Sequence, residues 1–559
     1  MDAVDAVDAV DAVDAVGAVD AVDAVDAVDA VDAVDAVDAV DAVDAVDAVD
    51  AVDAVDAVDS VDIVDAVDIV DVVDAVDIVD TMDATDATDT VDAVNAVNAV
   101  DTVDSADSVD TVEIMDTTET TDTTDVMDIM DATDTTDTDA IHAMDAKKLI
   151  GEALDRRVSS INPDECSPGD EDTFYVADLG HVYRQHLGWK KQLPRVKPFF
   201  AVKCNPDPQV LRLLAALGTG FDCASKMEIE QVLGLGVSPD RIIYAQPCKT
   251  TSYLRYVRAA GVKQMTFDNA DELYKVARVF PDAQLFLRIA TDDRSSLCRL
   301  SIKFGASMES AFDLLGLAKT LGLNVVGVSF HVGSGASDPN AFYKAVRDSH
   351  AVFRYGRGLG LAMRTLDIGG GFCGDTFPVM ADALTKALDE YFPRGFDVDV
   401  MAEPGRYYVS SAFTVACNVI ARRAVEDDGY MVYINDGVYG NFSSIMFDHQ
   451  QPLARILRTG GKTVYDTEAS EPCQPGTGIE YSVWGPTCDG IDRISESINF
   501  DSVIGVGDWL YFEDMGAYTR CSATQFNGFR NAHDVIYVCS EPGAQALISD
   551  KISDEISDE

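Results

Sequence analysis

Eight short apolar runs, each followed by a stretch with the periodicity of an amphipathic helix, dominate the sequence between residues 172 and 412. Short apolar runs of this length are typical of buried strands. Parallel strands need a crossover connection, so this alternation predicts a parallel (β/α)8 barrel. The predicted strands are PFFAVKCN, TGFDCAS, RIIYAQ, KQMTFDN, AQLFLRIA, VVGVSFHVG, TLDIGGG and VDVMAEPG, and helical patterns such as DPQVLRLLAALG lie between them.

Beyond residue 413 the pattern changes to short apolar runs separated by many turn residues, for example YMVYIND, YSVWGPTCDG, GDWLYFEDMGAYT and DVIYVCS. Short strands at close spacing are typical of an all-β domain. The sequence therefore predicts an α/β barrel followed by an all-β domain. The predicted boundaries are an acidic tail over 1–145, a segment joining the β domain over 146–177, the barrel over 178–412, the β domain over 413–548 and a second acidic tail over 549–559.

The N-terminal tail repeats a three-residue unit, mostly AspAlaVal, from Asp2 to Asp137, with the acidic position in constant register. A period of three drifts around a helix of 3.6 residues per turn, so the valines form no continuous apolar stripe. Neighbouring aspartates also repel each other. We therefore predict a disordered low-complexity segment, with an acidic interaction arm as the open alternative.

Charge and cysteine content limit the class of protein. The net charge of −58 comes mostly from the tail, because residues 1–145 hold 45 of the 99 acidic residues and no Lys or Arg. The rest of the chain has 54 acidic and 41 basic residues, so the sequence predicts no basic surface that would bind nucleic acid.

The eleven scattered cysteines form no CxxC pair, which indicates a reducing, cytoplasmic location. No basic leader and no bilayer-length apolar stretch occur, so we expect neither secretion nor membrane insertion.

Polar residues collect at the C-terminal ends of the predicted strands, where barrel enzymes of this type carry their chemistry. Lys203 ends the first run, and a lysine in a mainly apolar setting can have a lowered pKa and act as a nucleophile. DIGGGF, residues 367–372, offers backbone N–H groups to a phosphate, while Ser334 and His331 in HVGSG add a hydroxyl and an aromatic ring. This combination suggests a Schiff base between Lys203 and pyridoxal phosphate. The other strand-end residues are Asp222, Arg288, Gly369, Gly370, Gly371 and Glu403.

Long motifs follow one another in the order PFFAVKCN, FDCASKMEIE, LRIATDD, CRLSIKFGA, VSFHVGSG, LDIGGGF, EPGRYYV, NDGVYGNF, WGPTCDGIDR, DMGAYT and FNGF. With these motifs, residues 172–548 resemble the eukaryotic ornithine decarboxylases, which belong to the alanine-racemase-like barrel class of pyridoxal-phosphate enzymes. The resemblance implies decarboxylation of L-ornithine to putrescine and CO₂, the first step of polyamine biosynthesis.

The same resemblance implies a cofactor site and no metal. Lys203 would bind pyridoxal 5'-phosphate covalently, Glu403 would keep the ring nitrogen protonated, and His331 would stack on the ring. Asp222 and Arg288 would complete the surroundings of the cofactor. The phosphate is assigned to Ser334, Gly371, Arg406 and Tyr518, and Gly369, Gly370 and Gly405 are further cofactor residues.

The resemblance also implies a substrate site. Cys488 would protonate the carbanion left after CO₂ departs, and Asp448 and Asp489 would receive the distal ammonium group of the substrate. Phe526 would complete the wall near the substrate. Phe447, a further predicted substrate contact, stands where related enzymes usually have Tyr. Lysine and arginine therefore stay open as substrates.

A non-catalytic relative of the antizyme-inhibitor type is the alternative from another class. Such relatives lose cofactor or catalytic residues, whereas this chain keeps Lys203, Glu403 and Cys488. The resemblance further implies a homodimer with shared active sites, in which the loop carrying Cys488 and Asp489 comes from the partner subunit. Binding of an antizyme is left open.

Overall fold

The structure, a computed structural model of the chain, describes residues 135–425, 429–529 and 533–548, with side chains from residue 146 onward. Residues 1–134 and 549–559 lie outside the described residues, so the predictions for the two acidic tails stay predictions there. Helix α1, Thr135–Ser159, begins inside the segment that was assigned to the N-terminal tail. Regular structure therefore starts earlier in the chain than the predicted boundary at residue 145.

Strands and helices alternate through the first half of the described chain, and strands dominate the second half. In chain order the strands are β1 (Phe174–Asp178), β2 (Val196–Ala201), β3 (Gly220–Cys223), β4 (Ile242–Tyr244), β5 (Gln264–Phe267), β6 (Gln284–Ile289), β7 (Ser296–Cys298), β8 (Asn324–Phe330), β9 (Ser334–Ala336), β10 (Thr365–Asp367), β11 (Asp399–Ala402), β12 (Phe413–Ala424), β13 (Tyr430–Ile434), β14 (Arg455–Thr459), β15 (Lys462–Thr463), β16 (Ile479–Trp484), β17 (Arg493–Phe500), β18 (Trp509–Phe512) and β19 (Val535–Val538). The helices after α1 are α2 (Leu179–Gln192), α3 (Pro208–Ala216), α4 (Lys226–Leu233), α5 (Thr251–Ala259), α6 (Ala270–Val279), α7 (Met308–Thr320), α8 (Pro339–Gly358), α9 (Phe377–Tyr391), α10 (Arg406–Val409) and α11 (Ser444–Phe447).

Eight parallel strands close into the predicted barrel, in the order β2, β3, β4, β5, β6, β8, β10 and β11, with β11 paired to β2. Each of the eight apolar runs contributes one strand, so the fold prediction is confirmed. A cluster of large apolar side chains, separate from the core beneath the helices, fills the interior. Gly220 makes room for it, because a Cβ there would lie 2.6 Å from the ring of Phe199. The interior residues are Phe199, Ile243, Phe286, Val326 and Met401.

Most of the barrel helices begin at side chains that cap their free backbone N–H groups, as α3 and α4 show. Asp207 accepts hydrogen bonds from the N–H groups of Gln209 and Val210 at the start of α3, and Ser225 accepts one from Glu228 at the start of α4. Such caps contribute about 1 kcal/mol each. Within the described ranges, no helix combines the length and the apolar character needed to cross a membrane.

The second domain is a sheet in the order β15, β14, β18, β12, β13, β16 and β17, and most of its pairs are antiparallel. Strand β1, which precedes the barrel, pairs with β12, and β19 pairs with β1. Helix α1 packs on this sheet through Ile150, Leu154 and Val158, which contact a cluster that includes Trp509 and Tyr511. Burying one such aliphatic side chain contributes about 1.5–3 kcal/mol.

Candidate active site

A cavity of about 270 Å³ opens at the C-terminal ends of the barrel strands, and the β domain supplies part of its wall. It brings together most of the residues that the sequence predicted for the cofactor. The predicted residues that line it are Lys203, His331, Ser334, Gly371, Glu403, Gly405, Arg406, Phe447, Asp448 and Tyr518, and Ala201, Cys298, Leu300, Phe372 and Ser522 complete the wall.

Lys203 lies in a short 3₁₀ turn, Val202–Cys204, directly after β2. Its Nζ donates a hydrogen bond to Asp222 Oδ2 at 2.5 Å, and Asp222 is fully buried on the adjacent strand β3. Burial opposes the charged form of Lys203, but the neighbouring anionic groups, Asp222 foremost, outweigh it and raise the pKa of the amine. The expectation of a lowered lysine pKa is therefore wrong for this chain, because the apolar run ends beside a buried carboxylate.

His331 follows β8 and faces the glycine-rich loop. Its Nδ1 accepts a hydrogen bond from the Gly333 N–H at 3.2 Å, which leaves the ring proton on Nε2. Burial, assisted by the positive charge of Arg288, lowers the pKa of His331 well below its usual range, so the ring is neutral. A Cβ at Gly370 would lie 2.9 Å from His331 Nε2 and 2.7 Å from the Glu403 carbonyl oxygen, so only glycine fits there.

The candidate phosphate donors lie together at the same cavity. Gly371 has φ +106°, and a Cβ there would lie 2.5 Å from the Gly333 carbonyl oxygen. Arg406 Nη2 donates to Ser334 Oγ at 3.2 Å, and its guanidinium lies 5.1 Å from the ring centroid of Tyr518. Backbone N–H groups, a hydroxyl and a guanidinium are suitable donors for a phosphate. The same lack of space for a Cβ is found at Gly369 and Gly405.

Asp448 is buried at the β-domain wall of the cavity and is held by three donors. Arg406 Nη2 donates to Oδ2 at 2.5 Å, Gln450 Nε2 donates to Oδ2 at 3.0 Å, and the Cys298 thiol donates to Oδ1 at 3.4 Å. Asp448, the carboxylate predicted to bind the substrate, therefore pairs with Arg406, the arginine predicted to bind the cofactor phosphate. Sequence reasoning missed Cys298 and Gln450 as neighbours of Asp448, although Cys298 opens the motif CRLSIKFGA.

Cys488, Asp489 and Phe526 are not among the residues that line the cavity in the described chain. They form a second cluster around Tyr439, whose hydroxyl donates to Asp489 Oδ2 at 2.5 Å and whose ring stacks on Phe526 at 4.3 Å. The Cys488 N–H donates to Asn527 Oδ1 at 3.5 Å. The hydrogen bond from Tyr439 lowers the pKa of Asp489, so this carboxyl is ionised at neutral pH. Tyr439 was not predicted, although it lies in the motif NDGVYGNF.

The residues at the cavity fit pyridoxal phosphate. Asp222 Oδ1 is buried without a hydrogen-bond partner in the described residues. Glu403 is only 8% exposed, and burial together with the Asp367 carboxyl raises its pKa well above the usual range. An amine at Lys203, a buried acid at Glu403 and an anion site at Arg406 therefore meet at one cavity, as this cofactor requires.

Three comparisons with known proteins agree with this geometry. The family model for the pyridoxal binding domain of pyridoxal-dependent decarboxylases matches residues 179–410. Ornithine decarboxylase of Neurospora crassa is 67% identical over 426 residues, which cover 72% of this chain and 88% of that protein. Ornithine decarboxylase of Schizosaccharomyces pombe is 53% identical over 397 residues, covering 70% and 90%. The crystal structure of an arginine decarboxylase from Paramecium bursaria Chlorella virus, bound to agmatine, matches with a TM-score of 0.63 and 34% identity, covering 69% of this chain and all of that one.

Proposed function

Because the chain belongs to the pyridoxal-dependent decarboxylase family, with the eukaryotic ornithine decarboxylases, we propose that it converts L-ornithine to putrescine and CO₂. It is a carboxy-lyase, and its cofactor is pyridoxal 5'-phosphate. The observation that carries the proposal is the convergence of Lys203, Glu403 and Arg406 on a cavity that also holds a carboxylate, Asp448. This reaction would supply the diamine that begins polyamine biosynthesis.

Lys203, Glu403 and His331 would hold the cofactor ring, and Arg406 with Ser334 would hold its phosphate. When bound, the cofactor supplies an electron sink for the electron pair left as CO₂ departs. His331 stays neutral because burial lowers its pKa, so it contributes a flat ring and no charge beside the cofactor.

Asp448 would bind the distal ammonium group of ornithine. An ammonium group taken out of water needs an opposite charge, and a carboxylate in a mostly buried site provides it. Asp489 is the second candidate for this role, since its carboxyl is ionised and fixed by Tyr439. Cys488, its neighbour in sequence, would deliver a proton to the substrate Cα after CO₂ has left.

A homodimer with shared active sites would bring the two clusters together. Cys488 and Asp489 lie outside the cavity wall of their own chain, which supports delivery to a partner's cavity. Phe447, at the cavity, is 68% exposed, and Phe526, in the second cluster, is 40% exposed. Exposed large apolar side chains beside a site are typical of an interaction surface. In a two-fold dimer each contact occurs twice, so two equivalent sites would form.

The proposed location is the cytoplasm, where an antizyme is a possible partner of such an enzyme. All eleven cysteines lie in the described residues and none forms a disulfide. Unpaired cysteines in this number are typical of proteins that work in a reducing compartment.

Lysine is a second candidate substrate, because Phe447 removes a hydroxyl from the predicted substrate wall. To test both, purified protein with pyridoxal phosphate is given ornithine, lysine or arginine labelled at the carboxyl carbon, and released CO₂ is counted. We expect release from ornithine and loss of that release in Lys203→Ala. If CO₂ were released faster from lysine than from ornithine, lysine would be assigned as the substrate. If all three amino acids released CO₂ only at the background rate, the enzymatic function would be refuted.

A further inference from the structure

Gln450 is a polar residue next to the cavity that has no role in the mechanism above. It lies two residues after Asp448, on the turn that ends helix α11. Its Nε2 donates two hydrogen bonds, to Asp448 Oδ2 at 3.0 Å and to the Asp448 carbonyl oxygen at 3.1 Å. Both partners are acceptors, so the amide has to present its nitrogen to them. Gln450 therefore holds the side chain and the backbone of Asp448 at the same time.

The backbone of this turn brings the Gln450 side chain back to the carboxylate. The N–H groups of Asp448 and Gln450 both donate to the Ser444 carbonyl oxygen, at 3.0 and 3.1 Å. His449, between them, has φ +55°, the left-handed conformation that commonly ends a helix. That conformation is unfavourable for a residue with a Cβ, so the surrounding hydrogen bonds have to maintain it. The turn is thus built to keep Gln450 against Asp448.

The other described donors to Asp448 come from the barrel. Arg406 Nη2 donates to Oδ2, and the Cys298 thiol donates to Oδ1 from strand β7. Strand pairing sets Cys298 opposite Ser334, whose hydroxyl also accepts from Arg406. A carboxylate has about four acceptor positions, and these donors fill two on Oδ2 and one on Oδ1. The remaining position on Oδ1 is available to the distal ammonium group of a substrate.

Arg406 cannot serve Asp448 alone, because the proposed function also assigns it to the cofactor phosphate. A guanidinium shared between two anions holds each of them less tightly. Gln450 donates both of its hydrogen bonds to Asp448, and Cys298 reaches only Oδ1. Gln450 therefore keeps Oδ2 in place when Arg406 is engaged elsewhere. With Oδ2 fixed, the carboxylate cannot rotate, and Oδ1 keeps one position at the cavity.

We propose that Gln450 is a positioning residue that fixes the Asp448 carboxylate, so that the site selects substrates by the length of the chain that ends in the distal ammonium. Ornithine and lysine differ by one methylene in that chain. A fixed acceptor suits one of the two lengths, whereas a carboxylate that rotates suits both. The inference rests on the proposed function for the assignment of Asp448 to the distal ammonium.

The experiment compares wild-type protein with Gln450→Met, both full-length and loaded with pyridoxal phosphate. Met has a similar length and no N–H donor. We expect KM for ornithine to rise about 3- to 10-fold with kcat within about twofold, as for a lost binding contact. The ratio of kcat/KM for ornithine to that for lysine should fall, whereas a general structural defect would lower both values equally. Gln451→Met is the matched control, because Gln451 is the next residue, is exposed and does not line the cavity. It should leave every value unchanged.

A binding measurement tests the same inference without catalysis. Calorimetric titration with putrescine and with 1-aminobutane isolates the contribution of the second ammonium group, and 1,5-diaminopentane tests the chain length. Gln450→Met should weaken putrescine binding about 3- to 10-fold, leave 1-aminobutane unchanged and reduce the preference for putrescine over 1,5-diaminopentane. Gln450→Ala removes the same donor without filling its space, so it should give the same changes.

The outcomes separate this inference from the proposed function. Equal losses for the two diamines, an effect no larger than that of Gln451→Met, or an effect in Gln450→Met that Gln450→Ala does not share would each overturn the role of Gln450. If the wild-type protein released no CO₂ from ornithine, lysine or arginine, the proposed function would fail. The diamine titrations would then decide by themselves whether Gln450 fixes the acceptor for a distal ammonium.

Discussion

Replacement of Asp448 by Asn should separate substrate binding from cofactor binding. In the structure this carboxylate pairs with Arg406 at 2.5 Å, and both side chains are about nine-tenths buried. Asn keeps the size of the side chain and one acceptor oxygen but removes the negative charge. The distal ammonium of ornithine would then lose its charged partner, while Arg406 would lose a competitor for the cofactor phosphate.

The size of the effect follows from the contacts. A hydrogen bond to a charged group contributes about 1.5–3 kcal/mol, and each 1.4 kcal/mol is a factor of ten in binding. We therefore expect kcat/KM for ornithine to fall about 10- to 100-fold in Asp448→Asn. The phosphate can neutralise Arg406 in place of Asp448, so the Kd for pyridoxal phosphate should stay constant or decrease.

The assay measures both quantities on the same preparations. Steady-state CO₂ release at saturating cofactor gives kcat/KM, and fluorescence titration of the cofactor-free protein gives the Kd for pyridoxal phosphate. Asp375→Asn is the matched control, because Asp375 is an exposed carboxyl close to the glycine-rich loop that lines no wall of the cavity. It should leave kcat/KM within about twofold, as surface substitutions usually do. A Kd for the cofactor that rises more than kcat/KM falls would refute the assignment of Asp448 to the substrate.

Four further predictions test other parts of the molecule. Lys203→Ala should abolish the visible absorbance band of the protein with its cofactor. An unchanged band would show that the cofactor is linked to another lysine. Deletion of residues 2–134 should leave kcat/KM within a few-fold, since the repeat carries no chemical group of the site; loss of cofactor binding in the truncated protein would contradict this. Mixing inactive Lys203→Ala with inactive Cys488→Ala should restore roughly a quarter of wild-type activity, because half of the dimers are mixed and each has one intact site. No recovery after demonstrated subunit exchange would mean that each chain builds its site alone. Lys249→Met should lower the free energy of unfolding by about 1–3 kcal/mol, since fully buried Lys249 pairs with Glu272 at 3.0 Å and donates to the Thr266 carbonyl oxygen at 2.7 Å, while Lys275 stays as a second partner of Glu272 at 2.8 Å; a loss below about 0.5 kcal/mol in chemical denaturation would count against it.

The barrel could be predicted from the sequence because its signals are local. Each strand is a continuous apolar run with a helical pattern after it, and a parallel strand covered by helices needs apolar residues on both faces. Barrel closure then fixes which end of every run points to the site. This is why Lys203, His331 and Glu403, which are far apart in sequence, were all expected at one cavity and line it together.

Contacts between loops of different domains could not be predicted, because no periodicity describes them. Arg406 lies after a barrel strand and Asp448 ends a short helix of the β domain, yet the two side chains form an ion pair. Tyr439 and Asp489, two loop residues within the β domain, are also joined only through the fold. The motifs identified Arg406, Asp448 and Asp489 as site residues but contained no information about which side chains hold them.

The protonation of Lys203 shows why the apolar run alone predicted a shift of the lysine pKa in the wrong direction. The sequence around it is apolar, and desolvation alone would lower the pKa of an amine. Parallel pairing, however, sets Ala201 opposite Asp222, and this register brings the buried carboxylate within 2.5 Å of the lysine two residues further on. The carboxylate stabilises the ammonium more than burial destabilises it, so the pKa rises. Asp222 is therefore the group that must be neutralised or displaced before Lys203 can act as a nucleophile, and its removal should lower the pKa of the amine.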